Sequence, residues 1–331
     1  MLKIDMHAHI LPRDWPDLGA AGIPNMVHGA GRSEIHIDGT FFRAVTANSW
    51  DMAMRIEEYA RFGVQVQVIS TVPVMFSYHA APAVALELSR HLNDHVAGLQ
   101  ADHPRHVIAL GTVPLQDADT AIGELRRLRE ELGVPGIQIG SNVNDRNLDD
   151  PELFPIFEAA ADLGLAILVH PWQMMGRASM PEYWLPWLVG MPAELSRAIC
   201  SLIFGGVLER LPALRWCFAH GGGAFPWTIG RIEHGFKMRP DLVATRNAVN
   251  PRDYLGRFWV DSVTHDPQAL RYLIDVVGAD KVVLGTDYPF PLGEQEPGKL
   301  VESLDLPEEQ RRAICHENAL RWLDLPLERF S

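Results

Sequence analysis

Cysteine is scarce in this chain. Three thiols, Cys200, Cys217 and Cys315, stand among 331 residues. They form no Cys-x-x-Cys pair, and their odd number leaves at least one thiol over. A chain of this length buries a core that needs no covalent staple. The thiols therefore read as buried free groups of a reducing compartment, and the expected location is the cytoplasm. Positive charge is also short: 29 Lys and Arg against 42 Asp and Glu give a net charge of −13. That balance argues against nucleic acid or anionic membrane as the main partner. An anionic small molecule would need arginines placed locally against the overall field. No run of eighteen apolar residues occurs, so no membrane span is expected. Asp5, His7 and His9 break any apolar core of an N-terminal signal peptide. Low-complexity tracts, charge blocks and linkers are missing too.

Short apolar runs rich in Val, Ile and Leu are what the sequence does hold. They fall at 2–9, 64–71, 107–113, 136–140, 165–170, 214–220, 258–263 and 281–287. Runs of this kind suit strands buried on both faces of a parallel sheet. Stretches with helical spacing lie between them. "DMAMRIEEYARFG" runs to a C-terminal Gly63, and "DADTAIGELRRLREELG" to Gly133. "DPELFPIFEAAADLG" and "DPQALRYLIDVVG" each open on Asp-Pro, a good pair for the cap and first position of a helix, and close on Gly. Eight strands alternating with helices predict an α/β fold, a (β/α)8 TIM-like barrel, in one domain over 1–331. A doubly wound open sheet is the alternative. Two excursions interrupt the alternation. Residues 10–50 contain Asp38-Gly39 between β-prone runs, which predicts a small β-hairpin insertion after strand 1. Residues 171–191 are rich in Trp, Met and Pro, as a wall of an active site would be.

His7 and His9 stand one residue apart in the first run. Strand side chains repeat every two residues, so both point the same way. They sit at the C-terminal end of the strand, the active-site face of a barrel. His170 ends "LAILVH", His220 ends "LRWCFAH" and Asp287 ends "KVVLGTD". Strands 1, 5, 6 and 8 thus deliver metal-ligand side chains to one rim. Imidazoles with a carboxylate suit zinc or another borderline divalent ion.

The motifs "DMHAH", "VHP", "AHGGG" and "GTDYP" resemble the amidohydrolase superfamily. Longer stretches, "TVPVMFSY", "HPWQMMG", "YWLPWLVGMPAE", "FAHGGGAFPW" and "GTDYPFPLGEQEPGKL", resemble its family of 2-amino-3-carboxymuconate 6-semialdehyde decarboxylases. The resemblance runs from residue 1 to about 323. Two-metal superfamily members need a bridging Lys or Glu at the end of strand 4; "VPGIQIGSNVND" has neither, so a single metal is expected. The resemblance implies that His7, His9, His170 and Asp287 hold one Zn²⁺ per subunit together with a water. His220 would then be an acid/base group, forming the catalytic pair with Asp287. It further implies that Arg43 and Arg231 bind substrate carboxylates, Arg231 reaching into the neighbouring subunit of a homodimer. Guanidinium forks suit carboxylates bidentately. Trp187 and Phe290 would line the pocket, with Met75, Phe76, Trp172 and Met175 as further wall candidates. Gly221, Gly222 and Gly223 read as a tight strand-to-helix turn, because they lack the Lys and Ser/Thr of a phosphate loop. His265 sits at the same rim without an assigned role.

The implied function is non-oxidative decarboxylation of a small-molecule dicarboxylate semialdehyde in tryptophan–kynurenine catabolism. A metal-dependent hydrolase of a related lactone or amide would use the same ligands. A non-catalytic barrel that keeps its metal as a structural or sensing element is the third reading, but a closed structural site would have no use for His220.

Overall fold

The computed structural model describes residues 1–16, 18–29 and 32–330. Among them, eight parallel strands follow one another around a barrel. They are β1 (Ile4–Ile10), β2 (Val66–Thr71), β3 (Val107–Gly111), β4 (Gly136–Gly140), β5 (Ala166–His170), β6 (Trp216–Phe218), β7 (Trp259–Asp261) and β8 (Val282–Val283). Order in the sheet equals order in the chain. Backbone bonds close β8 onto β1: Met6 N donates to Leu284 O at 2.8 Å, Asp287 N to His7 O at 2.8 Å and His9 N to Tyr288 O at 2.7 Å. An open doubly wound sheet reverses its order at a switch point and keeps two edges, so that alternative is excluded. Every residue of β1 to β5 is buried, which explains why these strands read as apolar runs without alternation.

Helices link successive strands: α1 (Met52–Ala60), α2 (Pro82–Asp102), α3 (Ala118–Glu130), α4 (Phe154–Asp162), α5 (Met191–Phe204), α6 (Phe225–Met238) and α7 (Pro267–Val277). Asp51, Asp117 and Asp266 cap α1, α3 and α7, each accepting from the backbone N–H three residues on. The expected start of α4 at Asp150-Pro151 is displaced. Residues 151–153 form a turn, and the helix begins at Phe154. Pro155 is the cause: it has no N–H to donate and is tolerated only in a first turn. The run Pro186–Phe204 is long and apolar enough to cross a membrane by length and composition, with 44% of it buried in the fold. Glu194 and Arg197 interrupt it, and its Leu195, Ala198, Ile199, Leu202 and Ile203 belong to the barrel's core.

The insertion after β1 carries the expected hairpin, Ser33–Ile37 against Thr40–Val45, with Asp38 and Gly39 at φ of 50° and 73°. A third strand, Pro24–His28, pairs with the first of these and extends the hairpin to a three-stranded sheet. Proline at its head and exposed side chains hide that strand from a hydrophobic pattern. Ile35 and Val45 pack with Leu11, Val72, Val74, Met75 and Phe290 in a second apolar cluster. This cluster seats the insertion over the mouth of the barrel. Cys200, Cys217 and Cys315 are free; Cys217 and Cys315 are buried as expected, whereas Cys200 is only partly buried.

Candidate metal centre and active site

The rim positions follow from strand register. His7 and His9 project from one face of β1 and are fully buried. His170 is the last residue of β5. Asp287 lies just past β8, on left-handed backbone at φ 59°. Gly285 makes this convergence possible, because a Cβ there would stand 2.8 Å from the Cβ of Asp261 and 3.1 Å from that of His7.

One ligand atom from each of His7, His9, His170 and Asp287 lies within 4.8 Å of every other. The three Nε2 atoms stand 3.5, 3.0 and 3.8 Å from Asp287 Oδ1, for His7, His9 and His170 in turn. Each Nδ1 is committed elsewhere. His7 Nδ1 meets Asp261 Oδ2 at 2.6 Å, His9 Nδ1 the Thr71 carbonyl at 3.0 Å, and His170 Nδ1 the Pro171 carbonyl at 3.0 Å. Those oxygens only accept, so each Nδ1 carries the proton and each Nε2 turns a lone pair inward. Two such lone pairs, on His7 and His9, stand 3.1 Å apart. The buried Nε2 of His170 has no hydrogen-bond partner among the described residues. Lone pairs massed against one carboxylate oxygen repel unless a cation lies among them. The donor set therefore fits one divalent ion of borderline softness.

The titration behaviour agrees. Burial, reinforced by the other imidazoles, pushes His170 well below the usual histidine range despite the pull of Asp287. Burial would raise the Asp287 carboxyl, but the neighbouring imidazoles of His170, His220 and His9 outweigh it and hold that group well below the carboxylate range. His220 approaches the other oxygen, with Nε2 3.5 Å from Asp287 Oδ2. It is outside the four-ligand cluster, and its Nε2 is buried without a partner among the described residues.

The amidohydrolase family model matches residues 4–325. The chain belongs to the amidohydrolase superfamily. Among curated relatives of this amidohydrolase, the 2-amino-3-carboxymuconate-6-semialdehyde decarboxylase of Dictyostelium discoideum is 56% identical over 330 residues, covering 98% of this chain and 92% of the relative. The enzyme of the same name from Caenorhabditis elegans is 36% identical, covering 98% and 94%. Among solved structures, 5-carboxyvanillate decarboxylase from Sphingomonas paucimobilis aligns with a TM-score of 0.78 at 26% identity, over 84% of this chain and 85% of that one. The apo IDCase of Metarhizium anisopliae shares the fold, with a TM-score of 0.82 at 23% identity over 98% and 97%. The amidohydrolase described here is a metal-dependent decarboxylase.

A cavity of about 440 Å³ opens above the cluster. His9, His170, His220, Asp287, Arg43, Trp187 and Phe290 line it, as do Trp172 and His265. Arg43 comes from the last strand of the insertion, and its guanidinium lies 4.6 Å from the centre of the Phe290 ring. Burial lowers its pKa while Asp287 pulls the other way. Arg231 is not brought into this cavity; it lies exposed on α6. Met75 and Phe76 are buried away from the cavity lining, and Met175 points outward at 45% exposure. Gly221, Gly222 and Gly223 form the expected turn, all at positive φ, and a Cβ on Gly223 would stand 2.4 Å from the Pro192 carbonyl.

Three residues that support the site were not singled out by the sequence pattern. Asp261 takes the His7 Nδ1–H. Arg55, fully buried, donates to the His9 carbonyl at 2.7 Å and to Gln67 Oε1 at 3.0 Å, which fastens the end of β1. Glu194, also fully buried, accepts from Ser141 Oγ, Asn142 Nδ2 and Met175 N at 3.1, 2.9 and 2.9 Å. A charged residue inside an apolar run was the available clue for Asp261 and Glu194.

Proposed function

We propose that this enzyme converts 2-amino-3-carboxymuconate 6-semialdehyde to 2-aminomuconate 6-semialdehyde and CO₂, a step of tryptophan–kynurenine catabolism, with one Zn²⁺ per subunit. The relatives' names support the substrate. The single structural observation that carries the reading is Arg43, which among the described residues has no ion-pair partner and faces the same cavity as His220. A cation kept this way recognises an anion from outside the chain.

His7, His9, His170 and Asp287 would hold the metal, which when bound supplies Lewis-acid polarisation and a water of lowered pKa. Arg43 grips one substrate carboxylate by its fork. The bond between the substrate carbon and its other carboxylate breaks, its electron pair stays on that carbon, and a proton takes the place of CO₂. No oxidant or reductant is required. His220 moves that proton at Nε2, and Asp287 Oδ2 steadies the charged imidazole. Val72, Val74, Trp172, Trp187 and Phe290 wall the cavity with apolar surface. Low polarity there favours a step in which a carboxylate gives up its charge. Water can add to the conjugated framework before CO₂ leaves and be expelled afterwards, or the carbon can be protonated directly.

The second subunit enters through Arg231. Near it on α6, Trp227 is 42% exposed, and Leu188 and Val189 ahead of α5 are 50% and 54% exposed. We place a second copy against this face, so that Arg231 of each subunit reaches its neighbour's cavity. Mixing Arg231→Ala with His170→Ala protein should restore part of the activity by subunit exchange, and no restoration would remove the shared-site claim. The decisive assay generates the substrate in situ from 3-hydroxyanthranilate with its dioxygenase. Loss of substrate absorbance matched by CO₂ release is expected. Absorbance loss without CO₂ would favour the hydrolase reading, and no turnover of the zinc-loaded enzyme would reject the substrate.

A further inference from the structure

Asp261, the last residue of β7, is fully buried and uses both carboxylate oxygens twice. Oδ2 accepts from His7 Nδ1 at 2.6 Å and from the backbone N–H of His220 at 2.9 Å. Oδ1 accepts from the N–H of Gly221 at 2.8 Å and of Val263 at 3.1 Å. One carboxylate thus touches a metal-ligand imidazole and the turn that carries His220. That turn is strained, with His220 itself at φ 51° and Gly221 at φ 61°. Left-handed backbone at a residue with a Cβ persists only where its surroundings hold it.

We propose that Asp261 is a positioning residue with two linked tasks: it fixes the Nδ1–H tautomer of His7, so that Nε2 faces the metal, and it holds the left-handed turn that aims His220 into the cavity. The proposal rests on the reading of His7 as ligand and His220 as proton-transfer group. Its distinctive content is that a single side chain ties metal retention to His220 placement.

The amide of Asp261→Asn cannot serve both tasks. All four contacts are N–H donors, and an amide offers one accepting oxygen. With its NH₂ toward His7 it faces two donors, and His7 must give up its Nδ1 proton and present Nε2–H to the metal. With its NH₂ toward Gly221 and Val263 it leaves their N–H groups opposed, and the turn loosens. The shape is preserved in either case, so packing alone predicts little change.

The test uses the zinc-loaded enzyme. Asp261→Asn should bind zinc about 10- to 100-fold more weakly in competition with a chromophoric chelator, in line with other carboxylates that support ligand histidines. At saturating zinc it should still show a lowered kcat with KM little changed. A zinc affinity within threefold of the parent, or full kcat at saturating zinc, would overturn the linked role. In the unsubstituted, ¹⁵N-histidine-labelled enzyme, His7 should be the Nδ1–H tautomer with the most deshielded ring proton of the ligand histidines. An Nε2–H tautomer there would also overturn it, and this measurement stands even if the variant fails to fold. Failure of the parent enzyme to bind zinc or to turn over would instead count against the underlying function.

Discussion

The side chains at the rim divide by which oxygen of Asp287 they approach. His7, His9 and His170 crowd Oδ1, whereas His220 faces Oδ2. That split predicts different losses on truncation. His170→Ala should lose metal and activity together, as read by metal content and turnover of the purified protein. His220→Ala should keep most of its metal and lose roughly a hundredfold or more in kcat, the usual weight of a general acid–base group. Equal metal loss from both variants would place His220 among the ligands. Arg43→Lys keeps the charge but not the fork, so KM should rise about tenfold with a smaller change in kcat. The ligands were legible in the sequence because each stands at the end of an apolar strand, where a polar residue is conspicuous. Asp261 also ends its strand, but its role was not legible, since that role lies in what β7 brings beside it: a ring from β1 and a turn after β6, 254 and 41 residues away in sequence.

At the scale of elements, the barrel was readable because buried parallel strands are apolar throughout and the intervening helices announce their ends with Asp caps and Gly stops. What escaped was set by context: the start of α4 moved to suit Pro155, and the strand Pro24–His28 has no alternation to detect. The connection from β5 to α5 is likewise held by contacts no local pattern reveals. Glu194 on α5 ties Ser141 and Asn142 after β4 to the backbone of Met175, and Arg197 closes the group from the next turn of the helix. Trp172, Trp184 and Trp187 in this connection line the cavity. Glu194→Ala should leave these donors buried without their acceptor and cost on the order of 3 kcal/mol. Urea titration should register that loss. Because the freed segment carries cavity walls, proteolysis between 171 and 190 should quicken and KM should rise. Loss of stability with KM and cleavage unchanged would mean that Glu194 serves the barrel alone and does not hold the wall.

The stability of the whole molecule carries a pH dependence written into the barrel's closure. Glu294 follows the β8 rim, its N–H bonded to the Thr286 carbonyl at 2.7 Å and its Oε1 accepting from Leu300 N at 3.0 Å. Oε2 is buried without a partner among the described residues. Burial first, then the charges of Asp5 and Asp261, push this carboxyl up from 4.5 to about 7, against the pull of the Leu300 N–H and Lys3. The fold therefore favours the protonated form. Between those two values the folded chain holds a proton that the unfolded chain has released, so stability falls as pH rises. The contribution is whole below the unfolded value of about 4.5 and is lost as pH passes through about 7. Glutamine copies the protonated side chain and cannot ionise. Glu294→Gln should then match the parent in thermal midpoint near pH 4, exceed it increasingly up to about pH 7 and hold that lead to pH 8, both proteins being measured at the same metal saturation. Metal binding has its own pH dependence, but it is common to the two proteins and cancels in the difference. A difference in midpoint that stays flat from pH 5 to 8 would show that Glu294 ionises in the fold as readily as in the unfolded chain, and the destabilisation assigned to its buried charge would have to be withdrawn.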